Sequence, residues 1–180
     1  IAKKLGVDRV VAQRWTEPFA RERDRRIAEA LAVPFDLFEG ETILPPGTLR
    51  TGAGKPYSVF TPFSRAFFAR VHDVEPLAAP TRLPPLPAGL RVDEVPIPTL
   101  DALGIAENER LLRGGERAAR ARLKRFVDEG LATYPTDRDR MDLDGTSRLS
   151  VDLKFGTISP RAVWSAVLRA HAPEVARTKF

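Results

Sequence analysis

Cysteine is absent from this 180-residue chain, and histidine occurs only at His72 and His171. Without cysteine there is no disulfide, no thiolate nucleophile and no cysteine-based zinc site. Neither histidine has a nearby cysteine or carboxylate arrangement, so we assign no role to either and predict no metal site. The lack of cysteine fits a reducing compartment, and we expect a cytoplasmic protein.

Long apolar runs are also lacking, because no stretch approaches the roughly 20 apolar residues that cross a bilayer. We therefore expect no membrane role. Hydrophobic residues make up 43% of the chain, which is enough for a packed core. The 29 Lys and Arg residues outnumber the 24 Asp and Glu residues, which gives a formal charge of +5. This charge favours an anionic partner such as nucleic acid, although solvated surface charge explains it more simply.

The first part of the chain has the pattern of an α/β unit. Residues 1–5 resemble the last turn of a helix that Gly6 stops, so we expect the sequence to be an internal fragment of a longer protein. Residues 7–12 are short, apolar and β-branched and predict a strand, a helix begins at Pro18, and residues 35–39 predict a second strand. A strand, a helix and a strand at this spacing indicate a parallel sheet.

Proline dominates the middle of the chain. Seven prolines lie between residues 75 and 98, and this number excludes a helix interior or a central strand. We therefore predict a long connection between two domains.

The last part of the chain is predicted to be helical. A helix begins at Gly115-Glu116, and its apolar face consists of Ala119, Leu123, Phe126, Val127 and Leu131. Ser159 followed by Pro160 predicts the start of another helix, with Trp164 beside its apolar stripe as a packing residue.

A polar segment at residues 134–150 separates these helices. Its hydroxyl groups at Thr146, Ser147 and Ser150, together with Arg148 and unpaired N–H groups, could surround an anionic diphosphate. Thr146 and Ser150 are also ordinary helix-capping residues. Spacing alone therefore leaves two interpretations open, a phosphate site and a capped helix start.

The order of short motifs resembles that of the DNA photolyase/cryptochrome family over nearly the whole chain. Each motif is weak alone, but their collinear order is hard to obtain by chance. In chain order they are Glu17-Pro18, Arg23-Asp24, residues 54–57, residues 59–63, Gly115-Glu116, Tyr134, Arg138, residues 146–150, Leu153, Phe155-Gly156 and Ser159-Pro160-Arg161.

This resemblance implies a two-domain architecture. Residues 1–74 would be the end of a Rossmann-like α/β antenna-binding domain with a parallel sheet, residues 75–106 a linker, and residues 107–180 the start of an all-α FAD-binding domain, both domains being incomplete here. It also implies light-driven repair of cyclobutane pyrimidine dimers by electron transfer from excited reduced FAD. We expect a monomer that binds damaged DNA. We expect no catalytic residue in this stretch and no activity from the stretch alone.

Positions that match the family's motifs supply the candidate site residues. The resemblance places one set at the phosphates and ribose of FAD, namely Tyr134, Thr146, Ser147, Arg148, Leu149 and Ser150. Arg138 matches a position at the mouth of the substrate cavity and is the first candidate for contact with DNA. Lys154 and Arg161 are further DNA-binding candidates, and simple surface charge explains each of them equally well.

Two alternative functions remain open, and one position departs from the family's pattern. A cryptochrome-type blue-light receptor would share the fold and the FAD without repair, and a flavin-free nucleic-acid-binding module would use only the basic surface. Relatives with a folate antenna often have an acidic residue soon after the Glu17-Pro18 equivalent, where this chain has Phe19 and Ala20. A second chromophore, if present, is therefore predicted to be a deazaflavin or a flavin rather than a folate.

Overall fold

A computed structural model of the chain describes residues 2–71, 74–85 and 96–180. His72 and part of the predicted connection lie outside the described residues. Within the described part, residues 74–85 and 96–100 contain no helix or strand, and a single 3₁₀ turn follows at Asp101–Leu103. Among the described residues, no helix combines the length and the hydrophobicity of a membrane span.

The first part of the chain is a strand–helix–strand unit with a small parallel sheet. Strand β1 (Val10–Gln13) pairs in parallel with β2 (Phe35–Phe38), with Val10 opposite Phe35. Helix α2 (Pro18–Ala30) connects them, as the sequence predicted. The parallel pairing of the two predicted strands is therefore confirmed.

Strand β1 begins three residues later than predicted because the preceding helix uses the chain up to residue 7. Helix α1 (Ala2–Leu5) ends at Gly6, which has a left-handed φ of 60°. The backbone N–H groups of Gly6 and Val7 donate to carbonyl groups inside α1. Residues engaged in closing a helix are not available for a sheet, and the ladder starts at Val10.

Helix α3 (Phe60–Arg70) was not predicted from the sequence. Pro62 is compatible with this helix because it lies in the first helical turn, where a missing N–H group costs no hydrogen bond. Phe67 and Phe68 of α3 contact Trp164, with ring centroids 5.5 and 5.9 Å apart. The prediction that Trp164 is a packing residue is confirmed.

The contact with Trp164 joins the α/β part to the helical part. Trp164 lies on α7 (Pro160–Arg169), whose start is capped by Ser159 as predicted, since the Ser159 Oγ accepts a hydrogen bond from Ala162 N at 3.1 Å. Glu75 adds a polar contact, because its Oε2 accepts from Arg169 Nη2 at 2.6 Å and from Ser165 Oγ at 3.3 Å.

The helical part contains the hydrophobic core. Helix α4 (Glu116–Arg125) continues into a π-helical turn, Phe126–Gly130. Three short helices complete it, α5 (Tyr134–Asp137), α6 (Ser150–Phe155) and α8 (Glu174–Lys179). One buried cluster consists of Ala119, Leu123, Leu149, Ile158 and Val163, and a second consists of Phe126, Leu131 and Val167.

The π-helical turn explains why the predicted apolar face stays buried to its end. The N–H of Leu131 donates to the carbonyl of Phe126 at 2.7 Å, five residues earlier instead of four. This one-residue insertion rotates the helix, so Leu131 returns to the buried side occupied by Leu123 and Phe126. Leu131 is accordingly fully buried.

Candidate functional site

The predicted polar segment forms a loop between α5 and α6 in the helical part. Tyr134 begins α5, Arg138 follows its last residue, and Ser150 begins α6. Thr146, Arg148 and Ser150 are exposed, Ser147 is half-buried, and Leu149 is buried. The structure therefore presents three of the predicted phosphate-site residues at the surface and anchors the loop through Leu149.

Gly145 holds the start of the loop against α5. A Cβ atom added at this position would lie 2.6 Å from the carbonyl oxygen of Asp137 and 2.7 Å from the Asp137 Cβ. Only glycine permits this close approach of two backbones. Gly145 was not among the predicted site residues, although an Asp-Gly pair between two helical patterns is a turn signal.

Arg148 turns the loop towards α6. Its φ of 53° is the only positive value at a non-glycine residue in the described part of the chain. A side chain in this region is strained by about 1–2 kcal/mol. The Arg148 Nε donates to Asp144 Oδ1 at 2.6 Å, and this ion pair closes the loop across four residues.

Helix capping does not account for the hydroxyl groups of the loop. The N-cap of α6 is Leu149, and no side chain caps the helix. Ser147 Oγ accepts a long hydrogen bond of 3.4 Å from Leu149 N. Among the described residues, the hydroxyls of Thr146 and Ser150 and the backbone N–H groups of residues 146–148 donate to no protein acceptor. These groups are free to bind an anion.

A cavity of about 350 Å³ lies beside the first half of the loop. Thr146 and Ser147 form part of its wall, opposite residues of α4 and the π-helical turn. The charged residues that line it are of both signs. They are Arg122, Arg125, Glu129, Asp137 and Asp144. Acids outnumber arginines in this lining by three to two, so an anion here would be held by directed N–H and O–H donors and not by net positive charge.

Arg122 is the most constrained of these charged groups, because it pairs with the buried Asp152. The hydrogen bonds from Arg122 hold the pKa of Asp152 below its usual range, and a bond from Thr157 acts in the same direction against the effect of burial. The ion pair therefore contributes fully to the stability of the fold above the ordinary carboxyl pKa of about 4. This contribution is lost as the pH falls through the lowered pKa of Asp152 in the folded protein. No local signal in the sequence links Arg122 to Asp152, which lie 30 positions apart.

The ring of Tyr134 lies in an aromatic cluster and not at the cavity beside the loop. Its ring packs edge-on against Phe126 and Phe180, at centroid distances of 5.6 and 5.3 Å. The guanidinium of Arg138 lies 5.6 Å from the Tyr134 ring centroid. Tyr134 does not line the cavity beside Thr146 and Ser147. The structure thus brings Thr146 and Ser147 together and places Tyr134 with the aromatic cluster.

The three predicted DNA-binding residues lie in different surroundings. Arg138 is exposed, with its Nε 3.4 Å from Asp139 Oδ1. The Lys154 Nζ lies 3.6 Å from Glu17 Oε1 and 5.2 Å from the Trp15 ring centroid, so Lys154 links the helical part to the α/β part. Arg161 is half-buried on α7.

The donor set fits a diphosphate. Such a group needs several N–H or O–H donors directed at one volume, and the loop supplies unpaired examples of both kinds at a cavity wall. The described residues contain no group of three or more His, Asp or Glu side chains arranged to hold a metal ion.

Comparisons with known proteins identify similar sequences over most of the chain. The family model for DNA photolyase matches residues 1–85. A deoxyribodipyrimidine photo-lyase of Thermus thermophilus is 39% identical over 170 residues, which cover 93% of this chain and 36% of that protein. A deoxyribodipyrimidine photo-lyase of Synechococcus is 35% identical over 184 residues, covering 96% of this chain and 37% of that protein. The chain thus spans a little over a third of the length of these relatives.

Solved structures extend the match to the helical part. A class III photolyase from Agrobacterium tumefaciens superposes on 99% of this chain and 39% of that structure, with a TM-score of 0.85 and 28% identity. A cryptochrome from Synechocystis covers 97% of this chain and 39% of that structure with a TM-score of 0.77, and its 21% identity establishes a shared fold alone.

These matches define the class as a photolyase-like protein with a parallel α/β unit followed by helices. The chain belongs to the DNA photolyase/cryptochrome family.

Replacing Gly145 by alanine should destabilise the loop. The new Cβ would collide with the backbone of Asp137, and relief of such overpacking costs about 1–3 kcal/mol in the free energy of unfolding. Urea denaturation measures the loss. Gly114→Ala is the matched control, because nothing lies within 4 Å of its added Cβ. Equal stability of the two variants would contradict the close contact.

Proposed function

We propose that this chain is part of a flavin-dependent deoxyribodipyrimidine photolyase, which repairs pyrimidine dimers in DNA under blue light. The observation that carries the proposal is the loop of residues 144–150, in which Thr146 and Ser147 present unpaired donors at a cavity wall. The relatives of the chain are named deoxyribodipyrimidine photo-lyases. In this proposal residues 1–74 belong to the α/β domain, residues 75–106 to the linker, and residues 107–180 to the FAD-binding domain.

The loop would hold the diphosphate of FAD. Hydroxyl groups of Thr146, Ser147 and Ser150 and the backbone N–H groups of residues 146–148 would donate to phosphate oxygens. Leu149 would fix the loop through its burial, and Arg148 would brace it through Asp144. When bound, reduced flavin supplies the light-excited electron that opens the dimer. The described residues of the chain bind and orient the cofactor in this scheme.

Tyr134 would act from the aromatic cluster beside the loop. Its ring is held by Phe126 and Phe180 on one side and by the guanidinium of Arg138 on another. We propose that it forms part of the wall near the ribose end of FAD, at a distance from the donors of the cavity.

Removing two donors together tests the cofactor site. The variant Ser147→Ala/Ser150→Ala should retain less FAD, since each lost hydrogen bond to a charged phosphate costs roughly 1.5–3 kcal/mol. Flavin absorbance per polypeptide and the Kd for FAD of the full-length protein measure the effect. Ser58→Ala removes an exposed hydroxyl outside the loop and serves as the control. Unchanged stoichiometry and Kd in the double variant would remove the basis for the assignment.

Arg138 is the strongest of the three DNA-binding candidates. Its side chain is 41% exposed, and its two polar contacts are long, 3.4 Å from Nε to Asp139 Oδ1 and 3.3 Å from Nη1 to the carbonyl oxygen of Lys179, so its charge is available to a phosphate. Lys154 is engaged with Glu17 and Trp15 and would have to leave them to reach DNA. Arg161 would contribute at most from a half-buried position.

Arg138→Ala should weaken binding to dimer-containing DNA without loss of flavin. One phosphate contact contributes a salt-dependent part of the affinity, so the slope of log K against log salt should fall by about one. Fluorescence anisotropy at several salt concentrations measures both quantities. Arg117→Ala, an exposed arginine of α4, is the control. If both variants bind like the wild type, Arg138 does not contact DNA.

A test of light-dependent repair distinguishes a photolyase from a cryptochrome-type receptor. The fold does not distinguish them, because the cryptochrome from Synechocystis shares it. We expect the full-length protein, with reduced flavin and blue light, to restore the thymine absorbance of a dimer-containing oligonucleotide. The 180-residue stretch alone should bind flavin weakly and should not repair DNA, because it spans 36% of its Thermus relative. A flavin-loaded protein that fails to repair would support the receptor, and a colourless protein that binds DNA would support a flavin-free module.

The antenna remains a further part of the proposal. Phe19, next to the Pro18 that begins α2, is 79% exposed and offers no carboxylate. We therefore propose a deazaflavin or flavin as second chromophore in preference to a folate.

A further inference from the structure

Asp152 is the most completely satisfied buried charge in the described part of the chain. It is 1% exposed. Its Oδ1 accepts from Arg122 Nη2 at 2.6 Å and from Thr157 Oγ1 at 2.9 Å, and its Oδ2 accepts from Arg122 Nε at 2.9 Å. The fork of the guanidinium thus meets both carboxylate oxygens, which fixes the orientation of each side chain.

The cluster of Arg122, Asp152 and Thr157 joins three elements at the end of the loop of residues 144–150. Arg122 comes from α4, Asp152 from the first turn of α6, and Thr157 from the segment after α6. The backbone N–H of Thr157 also donates to the carbonyl of Asp152 at 2.9 Å. Asp152 lies two residues after Ser150, so its position determines where the end of the loop meets α4.

Arg122 connects the cluster to the cavity. Its side chain lines the same cavity as Thr146 and Ser147, while its guanidinium is held by Asp152. Among the ion pairs of the described residues, only this one has both side chains largely buried, at 14% and 2% exposure. The other pair with a buried acid, Arg23–Asp24, has an arginine that is 45% exposed.

Stability alone does not explain such a pair. Two buried charges lose their hydration, and apolar residues of similar volume often replace a buried ion pair with no loss of stability. What apolar residues lack is direction, because the bidentate hydrogen bonds fix the relative orientation of α4 and α6 more closely than apolar contacts can.

We propose that Asp152 is a positioning residue for the diphosphate site, which acts through Arg122 and Thr157 to hold residues 146–150 in the geometry that binds the anion. This inference rests on the proposed function, because it concerns the same loop. Asp152 itself does not line the cavity, so its influence on the ligand passes through its partners.

The variant Asp152→Asn tests the inference, because electrostatics and positioning predict opposite changes in the affinity for FAD. It removes a negative charge near the loop, so simple electrostatics predicts tighter binding of a diphosphate. Loss of positioning predicts the opposite, about tenfold weaker FAD binding, as expected for breaking one hydrogen-bonded network. The Kd for FAD of the full-length protein, measured well below the unfolding temperature, decides between them.

A second variant separates positioning from folding. Arg122→Met/Asp152→Leu replaces the pair by apolar residues of similar size and should keep the unfolding temperature close to that of the wild type. We still expect about tenfold weaker FAD binding from it, because the directional bonds are missing. Asp128→Asn is the matched control, since it breaks an exposed ion pair with Lys124 on the same helical segment and should leave the Kd unchanged.

The outcomes are distinct. Tighter or equal FAD binding by Asp152→Asn overturns the inference, and so does wild-type affinity in the stable double apolar variant. A fall in affinity that Asp128→Asn reproduces also overturns it. If the wild-type protein itself binds no FAD, the proposed function fails first.

Discussion

The burial of Leu149 is the interaction on which the candidate site depends. The loop around it is polar, and a polar loop of free donors has little reason to adopt one conformation. Leu149 is the exception, with 2% exposure and contacts to a core that includes Leu123 and Val163. The hydrophobic contribution of one buried leucine, about 1.5–3 kcal/mol, outweighs the strain of about 1–2 kcal/mol at the neighbouring Arg148. Strain in the backbone is therefore tolerated, and the donors beside it remain unpaired.

The elements around the loop constrain it from both ends. At its start, Gly145 lies against the backbone of Asp137, and at its end Asp152 is fixed to Arg122. A segment held at three points keeps its N–H groups in place without using them in a helix or sheet. A ligand that accepts hydrogen bonds then avoids much of the entropic cost of ordering the loop.

Local rules predicted the elements well where sequence pattern and tertiary structure agree. The parallel strands, the helix from Pro18, the apolar face of α4 and the cap at Ser159 all follow from short-range signals. Helix α3 was missed, and Pro62 is compatible with it only because the proline lies in the first turn, which the fold determines. The π-helical turn had no signal, since it depends on which side of the helix is covered.

The candidate site was predictable only in part, because it too depends on contacts that only the fold creates. Hydroxyls and arginines in the loop can be read from the sequence, but their availability cannot, because it depends on whether a helix or a side chain uses them. Arg122 is one of several arginines on α4, and only the fold brings Asp152 to it across 30 positions. Long-range pairs of this kind leave no periodic trace in a single sequence.

The formal net charge of +5 overstates the positive electric field that the protein presents to a ligand. In the described part of the chain, four arginines are paired with acids on their own helix, namely Arg23, Arg25, Arg26 and Arg120, so they contribute little field at a distance. The cavity beside the loop contains acids as well as arginines. Recognition of an anion by this structure therefore rests on the direction of a few fixed donors, and the surface charge would act chiefly on a longer polyanion that reaches Arg138 and its surroundings.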